Sequence, residues 1–151
     1  MIDINTLRER ITEVKLEVPE INSTLFVADD DELTTAMLDH KSADNILLMV
    51  VLPSYDGFGK EDESGIRTFL QFFILEKVDS KVFKNQDQYV DVFQKTLLVA
   101  RKFVSILFGI KSNNCLPFDL DYNSLKMYPV SRKSQCNGWV IEMDDEKYQD
   151  F

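Results

Sequence analysis

The chain is poor in several of the residue types that announce chemistry. It holds two cysteines, Cys115 and Cys136. That is too few for a disulfide framework, and their separation matches no zinc-ligand spacing. The count points to a reduced, cytoplasmic setting and leaves open whether the two pair. There is one histidine, His40, after Met37, Leu38 and Asp39 at the end of an expected helix, where a cation suits the helix dipole. A general base needs a nucleophile and an orienting partner within reach, and a lone imidazole identifies neither. Positive charge is scarce as well: 17 Lys and Arg against 26 Asp and Glu give a net charge of −9. Phosphate binding depends on clustered cations that release counterions, so nucleic acid is an unfavourable partner. An anionic membrane surface is disfavoured for the same reason. No run reaches about 18 apolar residues, the length that signals a membrane-spanning helix. Met1 to Leu16 carries charges throughout and does not read as a signal peptide.

What remains is an ordinary globular composition, and 151 residues suggest one domain, 1–151. A chain of this size buries roughly 70% of its unfolded surface, enough for an independent core. Eleven Phe imply a core or interface rich in large flat side chains. No repeat, low-complexity tract or internal boundary interrupts it.

The pattern predicts an α+β fold, a mostly antiparallel sheet of about 4–5 strands with a long hairpin, packed on two helices. "INTLRERITEVKLEV" places Leu7, Ile11 and Val14 on one helical face and turns Arg8, Glu9, Arg10 and Glu13 to water. Asn5 or Thr6 is the expected cap, with Glu9 available to close a capping box, and Pro19 ends the helix. A short strand, Thr24 to Ala28, precedes a stretch read as a helix capped by Asp30 or Asp31, with an extended conformation as the competing reading. "NILLMVVLPSY" and "IRTFLQFFILEKV" are continuous apolar runs typical of mid-sheet strands, joined by a polar connection over Asp56 to Gly65. The clearest element is a long helix over about 85–111. Asn85 and Gln88 form its capping pair, and Gly109 marks its stop. Tyr89, Val92, Thr96, Ala100, Phe103 and Leu107 follow the helical period without a break. Val90, Leu98, Val99 and Ile106 widen the apolar surface beyond one stripe, so a sheet alone is not expected to cover it; the N-terminal helix or another subunit is expected to cover the rest. Two final strands are expected at "SLKMYPV" and "GWVIEMD", joined through the tight-turn signal Asn137-Gly138. A loose acidic tail, about 144–151, ends the chain.

Candidate sites read as structural. Asp56, Glu61, Asp62 and Glu63 lie beside Lys60 and Arg67 in no calcium-loop spacing; a solvated hairpin turn explains them. Asp119, Asp121 and Asn123 begin a calcium-loop pattern, but Ser124 stands where Gly belongs and Val130 where Glu belongs. "DDDE", Asp29 to Glu32, suits helix capping. Gly57, Gly59 and Gly65 lie in no strand–Gly–helix phosphate cradle. Trp139 beside Gly138 reads as a core anchor. No catalytic residue, metal or cofactor is expected, and the chain is expected not to be an enzyme.

The stretches "LLMVVLPSYDG", "FFILEKVD" leading into the long helix, and "MYPV…CNGWVIEMD" resemble small connector and tail-terminator (tail-completion) ring proteins of tailed phages from Bacteroidetes hosts. The likeness runs from about Leu25 to Met143 and includes no diagnostic motif. It implies a structural subunit of a ring between portal and tail. The implied partners are further copies of itself and other virion or assembly proteins, and the implied location is cytoplasmic during assembly and then the virion. In such rings the long hairpin often reaches a neighbour. That places partner contacts at Phe58, Lys60, Glu61 and Asp62 on the loop, and the excess apolar surface of the long helix adds Val99, Phe103 and Ile106. The alternative is a small acidic secretion-type chaperone or adaptor, acting as a dimer on a peptide through hydrophobic grooves.

Overall fold

A computed structural model describes residues 1–60, 62–109, 120–131 and 135–148. The order is α1 (Ile4–Glu17), β1 (Ser23–Val27), α2 (Asp30–Asp39), β2 (Leu47–Lys60), β3 (Glu63–Lys77), α3 (Gln86–Leu107), β4 (Lys126–Ser131) and β5 (Cys136–Tyr148). The strands form one sheet in the order β1-β2-β3-β5-β4. β1 runs parallel to β2 across the α2 crossover, and every other pairing is antiparallel. The fold is α+β with a mixed, mostly antiparallel sheet.

Alternation along the strands divides the core into two. Leu48 and Val50 of β2, Leu70, Phe72 and Ile74 of β3, and Ile141 and Met143 of β5 face α1 and α3. Leu47, Met49, Phe73, Leu75 and Val140 face the other way and meet Leu33 and Met37 of α2. Both sides of the central strands are therefore dry, which is why their sequences read as unbroken apolar runs. On the larger side Phe103 is fully buried with its ring edge-on to Phe72 at 5.1 Å. Truncating such a ring to Ala costs about 3–5 kcal/mol. Trp139 is anchored as well, its indole N–H donating to the Phe93 carbonyl at 2.9 Å.

Local signals set the helix starts. The Asn85 side chain accepts from the Gln88 N–H, and Gln88 in turn accepts from the Lys84 N–H. The expected caps of the first two helices each move. Asp3, two to three residues before Asn5 and Thr6, caps α1 by accepting from Thr6 N–H, and Asp29 rather than Asp30 or Asp31 caps α2. In each case an aspartate one turn upstream reaches the free N–H first. The 30–39 stretch is helical, as preferred. At the far end of α3, Gly109 takes φ 69° just beyond Leu107; positions 110 and 111 lie outside the described residues.

Four other expectations are corrected. The Asp56–Gly65 connection is not a loop: β2 and β3 stay paired out to Lys60↔Glu63. Asp144 to Tyr148 are not a loose tail; they pair with Phe69 to Gly65 as the end of β5. Asn137-Gly138 is no turn but the start of β5. Gly138 lies where a Cβ would come within 1.9 Å of the Ile74 carbonyl oxygen, so a hydrogen is all the strand spacing admits there. Arg10 does not face water. It is buried, and its Nη2 donates to the Ile106 carbonyl at the end of α3, 2.8 Å away.

Candidate interaction surfaces

Past the helix-covered core the sheet narrows to a ribbon. Among the described residues β5 accompanies β3 as far as the Gly65↔Tyr148 pair, and beyond it Gly59↔Ser64 and Lys60↔Glu63 pair β2 with β3. Tyr55, Asp56, Gly57, Gly59 and Lys60 are exposed and Phe58 half-buried. The reversal needs Gly59, whose φ of 99° and 2.0 Å Cβ clearance from the Glu63 carbonyl exclude any side chain.

The ribbon is braced along its length. Arg67 on β3 donates through Nε and Nη2 to one Glu146 oxygen on β5, at 2.6 and 2.5 Å. Its guanidinium also lies 5.8 Å from the Phe58 ring centroid, within cation–π range. The hydrogen bond and charge of Glu146 push the guanidinium value up further still, so the charge is permanent. On the opposite face the Tyr55 hydroxyl donates to the Ile2 carbonyl at 2.8 Å, and the Ile2 N–H donates to Thr68 Oγ1 at 3.2 Å. Burial, with the Asp3 charge behind it, raises the Tyr55 phenol above its ordinary value. An isolated two-stranded hairpin is marginal in water; these ties brace the three-stranded base from which this hairpin end extends.

Of the residues expected to meet partners, Phe58, Lys60 and Asp62 stand on the ribbon, while Glu61 lies outside the described residues. Val99, Phe103 and Ile106 are buried in the chain's own core, at 6%, 0% and 5% exposure. Of the two covers expected for the rest of α3, the N-terminal helix is the one present: α1 packs against α3. Val90 and Leu98 remain as its exposed apolar side chains. Singly scattered apolar residues are ordinary on a surface.

The remaining chemistry-bearing residues hold the fold together. His40 is buried, and its Nε2 meets Asn45 Oδ1 at 2.8 Å. That oxygen already accepts from the Lys77 N–H while the Asn45 amide donates to the Lys77 carbonyl. The ring nitrogen is then the donor. The Lys77 ammonium reaches the Met37 and Leu38 carbonyls at 3.2 and 2.9 Å, closing the end of α2. Sequence spacing cannot foresee this cluster, since β3 supplies half of it. Cys136 is buried, its thiol 3.6 Å from the Met37 carbonyl; Cys115 and Asp119 lie outside the described residues. Asp121 caps the short turn Tyr122–Ser124 before β4, the structural role expected of it. Among the described residues no group of three or more His, Cys, Asp or Glu is placed to hold a metal ion. No described helix is long and apolar enough to cross a membrane.

Two grooves flank α3. One, about 630 Å³, is lined by Ile46, Leu98 and Val99 together with Glu20 and Asp91. The other, about 570 Å³, lies between α3 and β4–β5, over Trp139, Met127 and Leu125. No protein-family model matches the chain, and no curated protein matches it.

Proposed function

We propose that the chain is a non-enzymatic structural subunit that assembles with copies of itself into a ring of the connector or tail-terminator type. The observation that carries this reading is the ribbon. Its end extends past the last described pairing of β3 with β5, contributes no residue to the two main apolar clusters, and is braced at its base by an ion pair, a cation–π contact and a phenol hydrogen bond. Ordering an exposed hairpin costs conformational entropy; that cost is offset when the hairpin docks on a neighbour. A contact in which the ribbon of one copy meets a different surface of the next is heterologous, and heterologous contacts form a ring when the rotation between copies closes. The strong negative charge suits a passage that DNA traverses without sticking.

The test is a paired replacement at the ribbon, Phe58→Ser with Lys60→Glu. Cross-linking and negative-stain microscopy should show closed rings for the wild type and smaller species for the variant, with melting temperature little changed. Rings that persist unchanged in the variant refute the ribbon's role. A sharply lowered melting temperature shows that the ribbon is packed against its own chain instead.

A further inference from the structure

We infer that the outer edge of β1 is a docking site for an extended segment of a partner protein, one with an apolar core flanked by Lys or Arg. The inference stands apart from the ring reading, because it uses the opposite end of the sheet from β4 and no part of the ribbon.

Among the described residues β1 pairs on one side only, with β2. The Ser23 N–H points to the Ile46 carbonyl, so by alternation Leu25 and Val27 also bond inward, while Thr24 and Phe26 turn their backbone groups outward. Ala28, next in that outward series, has its N–H taken by Glu32 Oε2 at 2.6 Å, which closes the edge at one end and leaves Thr24 and Phe26 open. Natural edge strands are usually blunted by Lys, Pro or a bulge. β4, at the other edge, carries Lys126 and Pro129. β1 reads Ser-Thr-Leu-Phe-Val and has none of these devices. Its Leu25 is 43% exposed and its Phe26 37%, one on each face of the sheet. Strand addition to such an edge draws affinity from the backbone and specificity from alternate side chains.

Charge decides the occupant. Between Lys15 and Lys41 the sequence holds seven acids and no Lys or Arg. Asp29, Asp30, Asp31 and Glu32 follow β1 directly in the first turn of α2, and none of the four joins an ion pair among the described residues. At the other end the Ser23 hydroxyl donates to the Asp44 backbone carbonyl, and Glu20 is met by Lys102. Pairing of β1 with β1 of a second copy would bring two base-free acidic segments together, and β4 of a second copy offers Pro129, which has no N–H to donate. A basic-flanked strand meets neither obstacle.

The probe is a synthetic peptide with a Thr/Val core the length of β1 and a Lys pair at each end, titrated into the full chain at low salt. Binding should slow amide exchange at Thr24 and Phe26. Glu pairs in place of Lys should abolish it. Asp30→Lys with Asp31→Lys should weaken it about five-fold, since each exposed ion pair is worth a factor of roughly two to three. A peptide control needs no protein variant: N-methylating one alternate set of core amides should abolish binding, and methylating the other set should leave it. Equal response to both sets, indifference to flank charge, or no protection at about 1 mM peptide overturns the inference. So does a dimer of the chain alone that protects the same two amides.

Discussion

Replacing Arg10 tests how the helical layer is joined. The guanidinium leaves α1, is buried, and donates to the Ile106 carbonyl at 2.8 Å and to Glu13 at 3.0 Å. It thus places a cation at the C-terminal end of α3, where the helix dipole is negative. A hydrogen bond to a charged group contributes about 1.5–3 kcal/mol when buried. Two facts lower the figure for Arg10→Ala. The Ile106 carbonyl also accepts from the Gly109 N–H at 2.9 Å, so it is not orphaned. Arg10 Nε is itself buried without a partner among the described residues, a cost the mutation removes. Loss of the packed side-chain stem works the other way. The expected net loss is about 2 kcal/mol, which lowers the melting temperature by about 4–8 °C in a chain of this size. Arg10→Met keeps the stem and is expected to lose less than half as much. Urea unfolding should shift the midpoint without changing the slope. A loss under about 0.5 kcal/mol for Arg10→Ala would refute the claim that this residue joins α1 to α3.

Three further outcomes follow from the geometry. Gly138→Ala drives a Cβ into the Ile74 carbonyl and should cost at least about 4 kcal/mol, visible as lost soluble protein or a collapsed melting transition. The Asp3 carboxyl is held below its ordinary value by the side-chain and then the backbone hydrogen bond from Thr6. Its contribution is therefore full above about pH 4 and disappears as pH falls through the lower folded value. Asp3→Asn still caps α1 and should flatten the acid limb of a melting-temperature profile; an unchanged limb counts against the cap. Because burial raises the Tyr55 phenol, its stabilising effect holds below about pH 10 and fades as pH climbs through the folded value. Ultraviolet titration of wild type against Tyr55→Phe should lose a phenolate transition above pH 10, and loss of an ordinary transition instead would contradict the burial of the phenol beside Asp3.

The sequence discloses what short-range physics decides. Asn85 caps α3 because the acceptor and Gln88 N–H lie one turn apart, and the central strands announce themselves because both faces are dry. What stayed hidden depends on distant partners. Asp144 to Tyr148 look like a tail, since acids disfavour strands, yet β3 supplies their ladder and Arg67 meets Glu146. The ribbon reads as a loop because glycines and acids fill it, although a ladder is made of backbone and tolerates them. Gly138 marks a close approach of Ile74 that no local pattern contains. Arg10 was half legible: it lies three residues after Leu7 and four before Val14, on the buried face, and its charge alone suggested water. Among the expected contacts, the breadth of apolar surface on α3 shows that a second cover is needed but not whether α1 or another subunit supplies it; the structure packs α1 there.

Sedimentation velocity of the full chain over a range of concentrations, read with native mass spectrometry, addresses self-assembly most directly. A discrete closed oligomer of the 17.5 kDa subunit, dissociated by the Phe58/Lys60 replacement, is the expected result. A single 17.5 kDa species persisting to about 1 mM would contradict it.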